Sequence, residues 1–280
     1  MSRHIDRLPA PVDPKPKKLI VLSAPRTGTH GLYQALKVLG FKPYHMVEVF
    51  ANGADHARYM TEGLQASMDG TFAPYGRAEF DKWFADYDII VEMPFFMLSE
   101  VVAAYPDAKF LLTERDPDKW AKSWLNTIGP LTLQFQQFPT NVLKYLHPLS
   151  RNMAQFGVLN RRIFFGSDKN DEAAHRHLVA YYKEYINKVK TIVPPQQLKV
   201  CRLEDGFGWD EVCPYLGVPV PEDTEWPSRN APEEFFQISS KALDSGPPKA
   251  AVVLASVLAP LVAVGIWYAR SGGRGLPKIF

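Results

Sequence analysis

Short apolar runs alternate along the chain with longer stretches in which apolar and polar positions repeat at helical spacing. This alternation predicts a parallel sheet with crossover helices, because strands that are buried on both faces are apolar throughout. The fold class is therefore α/β, with a parallel sheet of about four to five strands flanked by helices. The predicted strands are 18–23, 88–92, 109–113 and 199–202.

Helical patterns fill the segments between these strands. The first, 29–39, ends at Gly40, and the last, 171–193, ends before two consecutive prolines, which are common ways for a helix to stop. Two further helices are predicted at 94–105 and 117–127. The segment 131–165 is rich in Phe, Leu and Gln and breaks the alternation, so we expect a helical insertion that covers one end of the sheet.

Length, charge and the N-terminal sequence give a first estimate of partners and domain organisation. The chain has 280 residues and a formal net charge of +2, a balance that does not indicate a nucleic-acid partner. Residues 1–17 are basic and proline-rich but have no apolar core for a signal peptide, so they are predicted to be a flexible lead. One α/β domain is expected over 18–238, and the sequence leaves its oligomeric state open.

An uncharged stretch, 250–269, lies near the C-terminus and is followed by a short basic tail at 270–280. It is long enough to cross a bilayer, so a transmembrane helix is predicted, with 239–249 as its linker. In the absence of a signal peptide, the rest of the chain is expected in the cytosol, held by this single-pass anchor to the endoplasmic reticulum or mitochondrial outer membrane. The alternative is a buried core helix, which the alanines and Pro260 favour.

The first predicted strand runs into a small turn directly before a helix. The turn reads Pro25-Arg26-Thr27-Gly28-Thr29. A helix N-terminus presents unpaired backbone N–H groups and the positive end of the helix dipole, so this turn is predicted to bind an anion. Gly28 would let the backbone approach the anion closely, and the side chains of Arg26, Thr27 and Thr29 would add donors.

The residues of the turn also select among anions. The nucleoside triphosphatase version of such a loop requires G-x-x-x-x-G-K-[ST], with the Lys on the phosphates and a hydroxyl on magnesium. Here Thr29 follows Gly28, and no Lys comes next. A single terminal phosphate or a phosphosulfate is therefore predicted in preference to a triphosphate with its metal, and no metal site is expected.

A second candidate site follows the strand at 109–113. Arg115 leaves the strand end and Ser123 lies two turns into the next helix, so both could reach one phosphate. The alternative explains the same segment without a ligand. Asp116 would cap the helix, Pro117 would take its first position, and Arg115 would be a surface charge.

These motifs resemble those of P-loop sulfotransferases, in particular a branch of cytosolic-type sulfotransferases common in fungi, over roughly 19–236. The turn is similar to their 5′-phosphosulfate loop. The Arg-x7-Ser element is similar to the one that grips the 3′-phosphate of the donor PAPS (3′-phosphoadenosine-5′-phosphosulfate). Further matching segments are Leu39-Gly40-Phe41, Tyr44 to Val49, Glu92-Met93-Pro94, Tyr105 to Lys109, Gly208-Trp209, Leu216 to Pro221, and Trp226-Pro227 through Asn230.

The resemblance implies an enzyme that uses PAPS as co-substrate and moves a sulfuryl group to a hydroxyl of a small-molecule acceptor. The Phe-rich insertion favours a hydrophobic acceptor, although such residues more often pack in a core. The resemblance also implies a set of residues that bind the donor. These are Pro25, Arg26, Thr27, Gly28, Thr29, His30, Arg115, Ser123 and Arg229.

The chain departs from the family pattern at His30-Gly31, where the Trp that stacks on adenine is absent. Adenine is then expected near Trp209 or near the loop of Arg229. Two alternatives stay open, the first of them because of this departure. One is a sulfotransferase-fold enzyme with other chemistry on a secondary metabolite, and the other is a non-catalytic, membrane-tethered protein that binds a phosphonucleotide.

Sulfuryl transfer needs a base for the acceptor's proton, and two residues are the main candidates. Glu92 stands at a strand end and His45 lies just past the first β-α unit, while Arg26 would stabilise the leaving phosphate. Glu92 could instead be a structural carboxylate paired with a loop Arg. His45 could pair with Glu48 or with a backbone carbonyl. His30 is the third choice.

Overall fold

Five parallel strands form one sheet in the computed structural model of the chain. The structure describes residues 2–138 and 140–227, and residues 259, 260, 262, 264, 266 and 268–270 near the C-terminus. The strands are β1 (Leu19–Val21), β2 (Pro43–Tyr44), β3 (Ile89–Val91), β4 (Phe110–Glu114) and β5 (Leu198–Arg202). Their order across the sheet is β2-β3-β1-β4-β5, and every neighbouring pair is parallel. The predicted α/β sheet is confirmed, with the short edge strand β2 as the fifth member.

Helices connect these strands. The α-helices are α1 (Thr29–Val38), α2 (Met46–Asn52), α3 (Ala54–Asp69), α4 (Arg77–Trp83), α5 (Leu98–Ala104), α6 (Pro117–Gln134), α7 (Thr140–Leu143), α8 (Pro148–Asn160), α9 (Glu172–Ile192) and α10 (Trp209–Leu216). Short 3-10 helices lie at His4–Arg7, Met93–Phe96, Lys144–Leu146, Pro195–Gln197 and Leu203–Asp205, and a π-helical turn lies at Arg161–Phe165.

Local sequence sets where the long helices begin. Asp116 caps α6 by accepting a hydrogen bond from the Lys119 N–H at 2.9 Å, with Pro117 in the first helical position. Asp171 caps α9 in the same way, through the Ala174 N–H at 2.9 Å. The helix α6 runs past its predicted end at residue 127, because its C-terminal turns are held by packing against α8 and α9.

Side chains of the central strands alternate between two hydrophobic cores, one on each face of the sheet. Ile20 and Ile90 belong to one core, and Val21, Val91 and Leu111 belong to the other. All five are fully buried. Because both faces are covered, polar side chains that serve a ligand must gather at the strand ends.

The predicted insertion at 131–165 is helical. It contains the end of α6, then α7, α8 and the π-helical turn, and α8 packs against α3. Phe156 and Phe164 are buried, with ring centroids 5.1 Å and 6.0 Å from that of Phe96, which follows β3. Phe138 is 82% exposed and lies outside this aromatic layer.

The C-terminal prediction needs a correction. In the part of the chain that the structure describes, no helix combines the length and the apolar character needed to cross a bilayer. This finding contradicts the predicted transmembrane helix at 250–269. The membrane localisation that was inferred from that helix is contradicted with it. Most of that stretch, the linker at 239–249 and most of the tail at 270–280 lie outside the described residues. The predicted domain boundaries stay predictions.

Candidate active site

The loop between β1 and α1 carries the predicted anion-binding turn. Gly28 directly precedes α1 and has a φ of 87°, in the left-handed region. A Cβ at this position would be strained by that φ and would lie 2.9 Å from Leu203 Cδ1, so the Leu203 side chain would have to shift. The turn therefore favours glycine here, and its backbone leads directly into the N-terminus of α1.

Thr27 and Thr29 use their hydroxyls within the protein. The Thr27 hydroxyl is fully buried and donates to the carbonyl oxygen of Ala24 at 2.7 Å. The Thr29 hydroxyl lies 3.4 Å from Glu92 Oε2 and 3.4 Å from His45 Nε2. Thr27 thus holds the shape of the turn, and Thr29 contacts the two candidate bases. Because both hydroxyls have partners within the protein, the predicted anion contacts of these two threonines would come from their backbone N–H groups.

Two aromatic side chains hold the loop from the helices that follow β4. Trp120 on α6 donates its Nε1–H to the carbonyl oxygen of Pro25 at 2.8 Å. Tyr185 on α9 donates its hydroxyl hydrogen to the carbonyl oxygen of Leu22 at 2.5 Å. Both side chains are buried. The position of the loop is therefore set by these helices as well as by β1.

Arg26 joins the loop to the second predicted site. Its Nε donates to Ser123 Oγ at 3.3 Å, and its carbonyl oxygen accepts from Arg115 Nη1 at 2.7 Å. The backbone N–H of Arg115 donates to the Tyr182 hydroxyl at 2.9 Å, which fixes the start of the segment after β4. Two guanidinium groups and a hydroxyl therefore meet at the N-terminus of α1, although they lie far apart in sequence.

Glu92 and His45 form a buried pair near Thr29. Both residues are about 5% exposed, and Glu92 Oε2 pairs with His45 Nε2. The other ring nitrogen of His45, Nδ1, accepts a hydrogen bond from the Val47 N–H at 3.3 Å. In the neutral ring this assigns the proton to Nε2, which donates it to Glu92. Each candidate base is thus the other's partner.

His30 and Tyr33 lie beside this pair on α1. The centroid of the buried His30 ring is 5.9 Å from that of His45 and 6.2 Å from that of Tyr33. The Tyr33 hydroxyl donates to Glu48 at 2.6 Å, and burial, with this carboxylate, raises its pKa well above the ordinary value. Glu48, one partner anticipated for His45, therefore binds Tyr33.

Backbone strain marks two of these residues. Arg26 and Glu92 both have a φ of 71°, and in the described part of the chain Asp223 is the third non-glycine residue with a positive φ. Such conformations are costly for residues with a Cβ and concentrate at functional sites. One of them, Arg26, lies within the turn and contacts Arg115, and the other, Glu92, follows β3 and pairs with His45.

A small apolar cavity of about 50 Å³ adjoins Glu92. Pro25 of the turn forms part of its wall, and Phe135 and Phe156 of the insertion form another part. Phe164 and Phe165 are fully buried in the core instead. The full lining is Pro25, Met46, Phe50, Glu92, Phe96, Ile128, Leu131, Thr132, Phe135, Met153, Phe156, Gly157 and Asn160.

Of the two residues proposed for adenine, Trp209 has partners within the protein and Arg229 lies beyond what the structure describes. Trp209 begins α10, packs edge-on against Trp226 at 4.8 Å and donates its Nε1–H to the Thr224 carbonyl oxygen at 2.8 Å. Arg229 lies outside the described residues. Where adenine would sit therefore stays a prediction.

Several residues of the site were not predicted from the sequence. Trp120 and Tyr182 follow the apolar spacing of their helices and resemble ordinary core residues. Thr132 and Asn160 line the cavity, and Asn160 follows the apolar Val158 and Leu159 but precedes two arginines, so the sequence gives no signal for its place in the wall. In the described residues, no group of three or more His, Cys, Asp or Glu side chains is placed to hold a metal ion.

Comparisons with known proteins extend over most of the chain. The family model described as sulfotransferase domain matches residues 18–235, which include every residue of the site above. The Ava biosynthesis cluster protein M of Aspergillus versicolor is 30% identical over 263 residues, which cover 91% of this chain and 97% of that protein. The crystal structure of a sulfotransferase from Alicyclobacillus acidocaldarius is similar at 15% identity and a TM-score of 0.40, covering 84% of this chain and 93% of that one.

Proposed function

Since the chain belongs to the sulfotransferase domain family and is a sulfotransferase, we propose that it uses PAPS to sulfate the hydroxyl of a small hydrophobic acceptor. The observation that carries the proposal is the meeting of Arg26, Arg115 and Ser123 at the turn, with the Glu92–His45 pair and an apolar cavity beside it. The family assignment argues against the non-catalytic alternative.

The donor side of the site fits a molecule with two phosphate-like ends. The turn and the N-terminus of α1 suit the 5′-phosphosulfate, because backbone N–H groups and the helix dipole favour an anion there. Arg115 and Ser123 suit the 3′-phosphate, and the guanidinium of Arg26 lies between the two sites. A magnesium-bound triphosphate would bind less favourably, because Thr29 stands where a triphosphatase loop has Lys.

The reaction proposed is an in-line displacement at sulfur, similar to phosphoryl transfer. The acceptor oxygen forms a bond to sulfur, and the bond between sulfur and the 5′-phosphate oxygen breaks. Adenosine 3′,5′-bisphosphate leaves with that electron pair, and the acceptor's proton passes to a base. The enzyme mainly positions the two substrates and neutralises charge on the leaving oxygen, which is the role proposed for Arg26.

Glu92 is the base that the arrangement supports best. Glu92 lines the cavity, whereas His45, the residue that precedes α2, contacts Glu92 and is not part of the lining. The hydrogen bond from His45 would orient the Glu92 carboxylate, in the way that a second group orients a catalytic base. His45 is therefore proposed as a positioning residue.

The cavity argues for a hydrophobic acceptor. Most of its lining is Phe, Met, Leu and Ile, and burial of an alkyl or aryl body there would remove apolar surface from water. Its volume of about 50 Å³ favours a small acceptor, or one that displaces wall side chains as it enters.

The proposal is tested by transfer of label from sulfur-labelled PAPS to a panel of alcohols, phenols and sugars with the full-length chain. We expect alkanols and phenols to be sulfated in preference to sugars. Glu92→Gln should lower the turnover rate by about 10²–10⁴-fold, because general-base catalysis contributes that much. Glu62→Gln is the matched control, since Glu62 is a buried carboxylate on α3 that binds the His4 N–H at 2.6 Å.

Three results would contradict parts of the proposal. An unchanged rate in Glu92→Gln would remove Glu92 as the base. A preference for sugars would overturn the hydrophobic acceptor. Binding of PAPS with no transfer to any acceptor of the panel would favour other chemistry on this fold.

A further inference from the structure

Asn160, the last residue of α8, has an unmet hydrogen bond in the wall of the cavity. The residue is 1% exposed and lines the cavity beside Gly157 and Phe156. Among the described residues its Oδ1 has no hydrogen-bond partner, and its side chain does not cap the π-helical turn that follows. A buried amide oxygen is costly to leave unpaired, and native proteins leave few of them. The unpaired oxygen is therefore a candidate acceptor for a hydrogen-bond donor of a ligand in the cavity.

Thr132, the other polar residue of the insertion in the wall, already has partners for its hydroxyl. It donates to the Gly129 carbonyl oxygen at 2.8 Å and accepts from Arg161 Nη1 at 3.1 Å. Arg161 also donates to Asn170 Oδ1 at 3.0 Å, which ties this part of the wall together. Of the two polar residues that the insertion contributes to the wall, Asn160 is thus the one with an unpaired side-chain oxygen.

The backbone around Asn160 is irregular. The π-helical turn Arg161–Phe165 follows it directly, and the Gly166 N–H donates to the Arg161 carbonyl oxygen at 3.0 Å, five residues back. Such turns are rare in proteins, and those that occur are often found at functional sites. This is a second observation, independent of the unpaired oxygen, that marks the same end of α8.

We propose that Asn160 determines acceptor specificity by accepting a hydrogen bond from a second donor group of the acceptor, a hydroxyl or an N–H. The inference rests on the proposed function and narrows its acceptor class. The acceptor has an apolar body with two polar ends. One end is sulfated beside Glu92, and the other is bound by Asn160.

The test compares α,ω-alkanediols of increasing chain length with the mono-alcohols of equal length. With the full-length wild-type chain, sulfur-labelled PAPS should sulfate the diol with a kcat/KM about tenfold or more above that of the mono-alcohol at the chain length that spans the cavity. A site built to bind a substrate hydroxyl discriminates strongly against the analogue that lacks it.

Asn160→Leu should reverse this preference. Leu is similar in size to Asn and makes the wall apolar. The kcat/KM of the diol should therefore fall about tenfold, while the kcat/KM of the mono-alcohol should rise. Asn152→Leu is the matched control, because Asn152 is a buried residue of the same helix whose Nδ2 donates to the Ala54 carbonyl oxygen at 2.8 Å. That variant loses a structural bond and should keep the wild-type preference for the diol.

A second readout separates this inference from the proposed function. The melting temperature of each variant is measured with adenosine 3′,5′-bisphosphate, with and without diol. Stabilisation by the diol in wild type but not in Asn160→Leu supports the inference even where no sulfation occurs. Sulfation without preference for diols, or with the same preference in Asn160→Leu, overturns the inference and leaves the proposed function standing. If neither sulfation nor stabilisation by the diol is observed, both the inference and the proposed function are overturned.

Discussion

At the scale of single residues, the site is characterised by backbone strain and by side-chain hydrogen bonds that a sequence does not reveal. Arg26 and Glu92 hold left-handed backbone conformations, and such positions cost about 1–3 kcal/mol each. The sequence could identify both residues by their type and by their place after a strand. It could not reveal their φ angles, the turn-holding bond of Thr27 or the unpaired oxygen of Asn160, because each depends on contacts between distant segments.

The strain at Arg26 can be measured with two variants. Arg26→Gly and Arg26→Ala both remove the guanidinium and should both abolish binding of adenosine 3′,5′-bisphosphate. They differ in conformational cost, because glycine adopts a φ of 71° without a Cβ penalty. Arg26→Gly should therefore be more stable than Arg26→Ala by about 1 kcal/mol in denaturant unfolding. Equal stability of the two variants would mean that the turn carries no strain at this residue.

At the scale of elements, the helix α6 and the turn act as one unit. The same helix begins with the cap at Asp116, presents Ser123 to Arg26 and fixes the Pro25 carbonyl through Trp120. The sequence predicted this helix from its cap and its proline, and predicted Ser123 from its spacing to Arg115. It could not predict β2, because a strand of two residues, Pro43–Tyr44, at a sheet edge leaves almost no periodicity to detect.

The coupling between α6 and the turn is tested by Trp120→Phe. The substitution keeps an aromatic ring but leaves the buried Pro25 carbonyl without its donor, which should cost about 1–3 kcal/mol of stability and weaken binding of adenosine 3′,5′-bisphosphate. Trp124→Phe is the control, since Trp124 is fully buried one turn later and its Nε1 has no hydrogen-bond partner among the described residues. Equal affinities in both variants would show that this bond does not position the turn.

At the scale of the whole molecule, the strand order explains why the site has two sides. The turn follows β1 at the centre of the sheet, with β3 on one side and β4 on the other. His45 after β2 and Glu92 after β3 therefore lie on one side of the turn, and Arg115 after β4 lies on the other. Parallel strands bring these residues to one edge, which is why a sequence prediction based on strand ends could gather them.

The C-terminal prediction failed at this same scale. An uncharged stretch of about twenty residues fits a transmembrane helix by length and composition alone. The described residues contain no helix that meets both criteria.

Calorimetric binding of adenosine 3′,5′-bisphosphate, ADP and magnesium-ATP to the full-length chain decides whether PAPS is the donor. The bisphosphate should bind at least about tenfold more tightly than either nucleotide, because only it offers a 3′-phosphate to Arg115 and Ser123. Arg115→Ala should remove that preference. Equal affinity for the three nucleotides, or no binding of the bisphosphate, would contradict PAPS as the donor.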